Sequence, residues 1–299
     1  MIDGVFVVDK PSGCTSHTVV AGARKRLGTR AVGHAGTLDP MATGVLLLMV
    51  GEATKLSPYL SLETKAYRAE VLFGRSTNTL DTDGEVVEER AVPPGALGEA
   101  LLEAAFAAER ERTLQVPPAV SAIQIGGQRA HALARRGMAP ELPPRSIRVD
   151  SLKLLAVRGE RVELAVRASK GYYVRALARD LGAHLGLPAC LSALRRTESG
   201  AFTLEEALPW PLPEGAAALP LGVVARRCLP SVTLTAEGAE RAWLGKTLAA
   251  EHFVQAPEHD GPHAWFAADE LYAVGQRRDD AYRVLRGFGT RAPERRPGT

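Results

Sequence analysis

GHAGTLDPMATG, residues 33–44, runs directly into Val45-Leu46-Leu47-Leu48-Met49-Val50. The six apolar residues are far too few to span a bilayer and read as a buried strand. The glycine-punctuated segment before them reads as a loop. It is long for a simple connector, and loops held between buried strands keep their side chains accessible while the strands fix their ends. Upstream, Gly4 to Val8 reads as a short buried strand stopped by Lys10-Pro11-Ser12-Gly13, with Ser16 as the N-cap of a helix to about Leu27. Downstream, a return strand is expected from about Ala66 to Phe73.

Pro93 and Pro94 precede an alanine-rich helix to about Glu109. From Gln115 to Pro144 the chain is rich in Pro, Gly, Arg and small residues, as in a surface insertion. Strands follow at about Ser151–Val157 and Val162–Ala168, the second alternating Val162, Leu164, Val166 and Ala168 on one face. A helix from about Tyr173 to Leu185 places Val174, Leu177, Leu181 and Leu185 on one stripe. Pro209 to Pro230 reads as the passage between two domains, 1–230 and 231–299. The second is a small β-rich module with strands at Glu270–Gly275 and Ala281–Leu285, ending in a polar tail, Arg291–Thr299.

A formal charge of +3 and a pI near 8.8 suit a partner with phosphates. Cys14, Cys190 and Cys228 are too few and too scattered for a disulfide framework or a zinc cluster, and read as small buried hydrophobes in a reducing cytoplasm. The start MIDGVFVVDKPSG lacks a basic stretch followed by a long apolar run, so a soluble cytoplasmic protein with no membrane contact is expected.

Asp39 stands between Leu38 and Pro40, where packing gives no reason for a carboxylate. Pro40 rigidifies the backbone beside it, and the glycines permit close approach of a ligand backbone. A ligand-contacting or catalytic aspartate and a turn-capping one both fit this position. No Gly-Lys-Ser/Thr follows, so a triphosphate loop is not suggested.

Four further segments occur in order: Asp9-Lys10-Pro11-Ser12-Gly13, Lys65-Ala66-Tyr67-Arg68, Gln115-Val116-Pro117-Pro118 with Ser121-Ala122, and Ser169-Lys170-Gly171-Tyr172-Tyr173-Val174-Arg175. With GHAGTLDPMATG they resemble the TruB family of tRNA pseudouridine-55 synthases, over roughly residues 1–210. Leu271-Tyr272-Ala273-Val274-Gly275 weakly resembles a PUA RNA-binding domain. The resemblance implies an α+β pseudouridine synthase fold: a mixed, mostly antiparallel sheet flanked by helices, plus a small β-barrel-like, PUA-like C-terminal domain. It implies a monomeric enzyme acting on the T-arm stem-loop of tRNA without cofactor or metal.

The resemblance makes Asp39 the catalytic residue, attacking C1′ or removing a C2′ proton, with Arg175 as its ionic partner. Tyr67 would stack on the base and assist proton removal at C5. His34 would fill the gap left by the flipped nucleotide, Tyr173 would contact substrate and Leu194 would wall the uracil pocket. Lys10 and Pro11 would scaffold the active loop. Arg129, His131, Arg135 and Arg136, in an insertion at about 121–145, would contact RNA phosphates.

Three positions depart from the family pattern: Asn78 in place of Asp, Gln124 in place of Lys, and His131 in place of an aromatic residue, often Tyr. Two other readings remain: an RNA-binding or tRNA-folding factor with dispensable catalysis, and a synthase acting on another RNA. An intact Asp39, Tyr67 and Arg175 set favours an enzyme, because a pure binder has no need of it.

Overall fold

The computed structural model describes residues 2–121, 124–125, 128–129 and 142–288. The first part contains β1 (Gly4–Lys10), α1 (Ser16–Leu27), β2 (Val32–Ala35), β3 (Thr43–Val50), α2 (Ser57–Leu62), β4 (Lys65–Phe73), α3 (Glu99–Arg110), β5 (Val149–Arg158), β6 (Arg161–Ala168), α4 (Val174–Leu185) and β7 (Ala189–Ser199). These strands form one sheet in the order β5–β6–β4–β7–β3–β1. Pairing is antiparallel except where β7 lies parallel to β3, and where Leu208–Pro209 lies parallel to β1. The expected mixed, mostly antiparallel sheet is therefore present.

The apolar run at 45–50 follows from the sheet being covered on both faces. Leu46, Leu48 and Val50 of β3 join Phe6 and Val8 of β1 in a core completed by α1, α3 and α4. Val45, Leu47 and Met49 point the other way, with Val5 and Val7, into a core shared with Ala264, Phe266, Leu271 and Val274. These last four belong to a second sheet of four strands, β8 (Ser231–Thr233), β9 (His263–Ala267), β10 (Glu270–Arg278) and β11 (Ala281–Gly287). Period-two alternation in β3 is masked because each face has its own apolar partner.

The second sheet has a core of its own around Trp265, with Phe253 and Tyr282. A Cβ on Gly275 would lie 2.1 Å from the Trp265 indole, so the glycine of Leu271-Tyr272-Ala273-Val274-Gly275 is a packing requirement. The part is β-rich but carries a helix, Ala236–Trp243, capped by Thr235.

Several sequence expectations need correction. Residues 209–230, expected to join the two domains, carry structure of their own: Leu219–Pro220 pairs with β1, and the helix Leu221–Cys228 buries Val224 and Ala225 in the shared core. The first part of the 33–44 loop is strand β2, paired to β3, which shortens the loop. Thr15, not Ser16, caps α1, accepting from the Thr18 amide. As expected, Pro93 and Pro94 precede α3, which begins at Glu99 after a turn over 93–98. Of the three cysteines only Cys190 is buried; Cys14 and Cys228 are half-buried, and all three are free thiols. Among the described residues no helix is long and apolar enough to cross a membrane. The tail Arg291–Thr299 lies outside the described residues.

Candidate active site

The segment joining β2 to β3 is fixed before its side chains do anything. The Ser16 hydroxyl accepts from the Leu38 amide at 2.9 Å and donates to the Leu38 carbonyl at 3.2 Å. The Ala42 amide closes a turn onto the Asp39 carbonyl, with Pro40 where its ring sets the required φ. The Pro40 carbonyl then accepts from the Gly13 amide at 2.9 Å and from Lys10 Nζ at 3.3 Å. Lys10 is wholly buried and also donates to the carbonyls of Pro11 and Cys14, while burial lowers its pKa. The Lys10-Pro11 turn thus touches the loop through backbone carbonyls, without a side chain in the cavity beside it.

Asp39 does not use its carboxylate to cap that turn. Arg175 Nε donates to its Oδ2 at 2.9 Å and Nη2 to its Oδ1 at 3.1 Å, a bidentate pair across 136 residues of chain. The same guanidinium donates to the carbonyls of Thr79 at 2.8 Å and Val120 at 3.0 Å. Arg175 is nearly buried, with 6% of its side chain exposed, whereas 34% of the Asp39 side chain is exposed. The carboxylate is presented and the cation is enclosed. Arg175 lies in the first turn of α4, where the helix dipole disfavours a cation, so its neighbouring acids are what make the position tenable.

A second acid, Asp81, completes this arrangement, and no role was assigned to it from sequence. Its Oδ2 lies 3.6 Å from Arg175 Nε, and its Oδ1 accepts from Thr79 Oγ1 at 2.6 Å. Burial raises its pKa, against the hydrogen bond from Thr79 and the pull of Arg175. Asn78 accepts from the Glu85 amide at 3.1 Å and donates to the Glu85 carboxylate, so the loop contact survives without an aspartate there.

Asp39 and Arg175 border a cavity of about 280 Å³ whose lining includes Tyr67, Tyr173 and Leu194. Five of the residues singled out from sequence thus come together. Tyr173 is held by Gln115, which accepts from its amide at 2.9 Å and donates to its carbonyl. A second cavity of about 510 Å³, bordered by Thr15, His17, Thr79 and Asp83, shares Asp39 and Arg175, so the carboxylate stands between two spaces.

The first cavity also holds Lys65, which opens the Lys65-Ala66-Tyr67-Arg68 segment, and Arg196, two residues after Leu194; neither was singled out as a site residue. Arg196 follows Leu194 by two residues on β7, so both point to the same face, and an arginine in an inward register was the available signal. Burial brings Lys65 down to about 8, and Arg196 is the next largest influence. Gly44 admits the chain itself: a Cβ there would lie 2.1 Å from the Arg196 carbonyl oxygen.

His34 does not border either cavity. It stands edge-on to His17, ring centroids 5.4 Å apart, and burial, with His17 and Arg196, holds it down at about 4. Pro11 is exposed. The backbones of Gln124 and Arg129 pair antiparallel. His131, Arg135 and Arg136 lie outside the described residues, as do the Arg129 and Gln124 side chains. Among the described residues no group of three His, Cys, Asp or Glu side chains is placed to hold a metal ion.

Comparison with known proteins agrees with this geometry. Residues 24–174 match the N-terminal domain of the TruB family of pseudouridylate synthases. The chain is 44% identical over 290 residues to tRNA pseudouridine synthase B of Thermobifida fusca (strain YX), covering 93% of this chain and 96% of that one. It is 52% identical over 210 residues to tRNA pseudouridine synthase B of Nocardia farcinica (strain IFM 10152), covering 69% and 68%. Among solved structures, a Cbf5-Nop10-Gar1 complex contains a chain that superposes with a TM-score of 0.71 at 26% identity, over 92% of this chain and 78% of that one. A chain of an H/ACA RNP bound to a substrate RNA containing 2'-deoxyuridine has the same fold, with a TM-score of 0.72 at 24% identity over 96% and 85%. A match over half the chain, with close relatives along nearly all of it, makes this protein a member of the TruB family of pseudouridylate synthases.

Proposed function

We propose that the protein converts uridine to pseudouridine at position 55 in the T loop of tRNA, with Asp39 as its catalytic residue. The observation that carries this reading is a partly exposed carboxylate fixed by a bidentate, enclosed arginine and facing a tyrosine-lined cavity. Its relatives bear the name tRNA pseudouridine synthase B.

The target uridine leaves its stack, at a cost of a few kcal/mol, and its base enters the cavity between Tyr67 and Leu194. Asp39 attacks C1′ or removes a C2′ proton; both routes need it ionised and aimed, which the Arg175 fork provides. The uracil turns and rejoins through C5, and Tyr67 takes the C5 proton. Tyr173 contacts the nucleotide, and His34, away from the cavity, packs against the RNA where the nucleotide has left. Arg129, His131, Arg135 and Arg136 hold the T arm through phosphates. The working unit is a cytoplasmic monomer, with catalysis in residues 1–230 and an RNA-binding, PUA-like part in 231–299.

The test is tritium release from C5-labelled uridine in a T-arm stem-loop transcript. Release by the intact protein, lost with Asp39→Asn and when the loop uridine is replaced by cytidine, is the expected result. Tight binding without release would instead support an RNA-folding factor, and release from other RNAs only would move the substrate.

A further inference from the structure

Arg196 carries a charge that the reaction as described does not use. It is 1% exposed. Among the described residues no carboxylate lies within salt-bridge distance of it. Its Nε donates to the Val45 carbonyl at 2.7 Å and its Nη2 to the Gly36 carbonyl at 2.9 Å. After burial, the Tyr67 side chain is the largest influence on its charge, and it favours that charge. Arg196 and Tyr67 are directly opposite in the β7–β4 ladder, and both border the cavity.

Burying a guanidinium without a counter-charge costs several kcal/mol, and an apolar residue of similar size would serve stability better. The surrounding chain is nevertheless shaped to keep it. A Cβ on Gly36 would meet Arg196 Nη1 at 3.3 Å, and one on Gly44 would strike its backbone. Two glycines of GHAGTLDPMATG therefore make room for this arginine. Lys65 approaches the same place, its Cε 3.3 Å from a Cβ on Gly36, while its ammonium donates to the carbonyls of Glu63 and Ser61. This wall of the cavity holds two buried cations on carbonyl oxygens, and the group opposite Arg196 in the ladder that can take up negative charge is the Tyr67 phenol.

We propose that Arg196 is a positioning residue for the removal of the C5 proton: it fixes the Tyr67 oxygen at the cavity and stabilises the negative charge on it. The inference rests on the pseudouridine synthase reading. Once C5 is bonded to C1′ it still carries its hydrogen, and C6 is doubly bonded to N1. Tyr67, having given its own proton to solvent, takes the C5 hydrogen as a proton. The C5–H electron pair re-forms the C5–C6 double bond, and the C6–N1 pair moves to N1, which takes a proton from solvent. Tyr67 is left as a neutral phenol and returns its proton to solvent after release.

The experiment compares C5-protiated with C5-deuterated uridine in the T-arm transcript, in single turnovers, for the intact protein, Arg196→Lys and Tyr67→Phe. Lysine keeps the charge but cannot reproduce a fork that holds the Val45 and Gly36 carbonyls together beside Tyr67. We expect the maximal single-turnover rate constant to fall at least about tenfold in Arg196→Lys, with the half-saturating concentration within about twofold, and the isotope effect to rise from near unity to about two or more. Tyr67→Phe leaves both carbonyl anchors of Arg196 in place and should show the same rise, independently of how well Arg196 variants fold. A slower Arg196→Lys enzyme with an unchanged isotope effect would overturn the proposal, as would an unchanged effect in Tyr67→Phe. If the intact protein forms no pseudouridine, the functional reading fails and this inference with it; normal turnover by the intact protein beside unchanged isotope effects sinks this inference alone.

Discussion

The cavity has two walls, each built around a buried arginine, and the two are held in opposite ways. Arg175 meets carboxylates, Asp39 in a bidentate pair and Asp81 at 3.6 Å, and projects from the first turn of a helix. Arg196 meets backbone carbonyls and a phenol, and sits within a strand hydrogen-bonded on both sides. A guanidinium among carboxylates has its charge neutralised and aims the acid it binds. A guanidinium among carbonyls keeps its charge for whatever comes next to it. The difference assigns the first wall to positioning the carboxylate and the second to receiving negative charge.

The strongest challenge to this contrast is Asp39→Asn. Removing the charge that Arg175 aims should lower tritium release by about 10³-fold or more, roughly 4 kcal/mol of barrier, and lower the thermal midpoint as well, because Arg175 keeps only Asp81 as a counter-charge. A folded variant with near-normal release would show that the first wall does not carry the chemistry. Arg175→Lys comes next: an ammonium keeps the charge but cannot serve Asp39, Thr79 and Val120 together while staying beside buried Asp81. Destabilisation of about 3 kcal/mol in denaturant unfolding is expected, with activity down about a hundredfold.

Gly44→Ala probes the other wall through the backbone. The residue has φ +100° and its Cβ would lie 2.1 Å from the Arg196 carbonyl oxygen, so the β3–β7 contact must open. A loss of about 2–3 kcal/mol is expected in the same measurement, and a neutral result would mean that the strands separate at little cost.

His34 sharpens the comparison through pH. Its pKa falls from 6.5 to about 4 on folding, so the unfolded chain binds the extra proton first and stability is lost as pH falls between those values. Because the ring is not fully enclosed, about 2 kcal/mol is expected rather than the full linkage value. His34→Phe should flatten stability against pH across that window, and an unchanged slope would place the acid sensitivity elsewhere. The smallest effect belongs to Thr15→Ala, which removes the α1 cap beside Ser16 and should cost about 1 kcal/mol in thermal unfolding.

The legible parts of the sequence were those in which one local feature has one meaning. Val162, Leu164, Val166 and Ala168 alternate because one face of β6 is covered, and all four are buried. Gly186 ends α4 in the left-handed conformation, just after the stripe Val174, Leu177, Leu181. Asp39, Tyr67, Tyr173 and Arg175 were found through motifs in three separated segments and Leu194 through the family resemblance, and the fold brings all five to one cavity. Asp81 and Arg196 escaped notice because their roles depend on what faces them. Asp81 sits in a polar turn where any aspartate would look like surface, and Arg196 reads as one of two consecutive arginines on a charged strand.

The sequence by itself determined the hydrophobic strands, the helix ends and the proline-stiffened turn at Asp39, since each follows from side-chain periodicity or backbone freedom within a few residues. Tertiary structure alone decided that β7, formed late in the chain, enters between β4 and β3, and that residues 219–288 cover the far face of the first sheet. That insertion sets Arg196 opposite Tyr67 and, through α4 just before it, Arg175 against Asp39. Such pairings arise from burying both faces of one sheet at once, a condition on the whole chain that no local stretch can express.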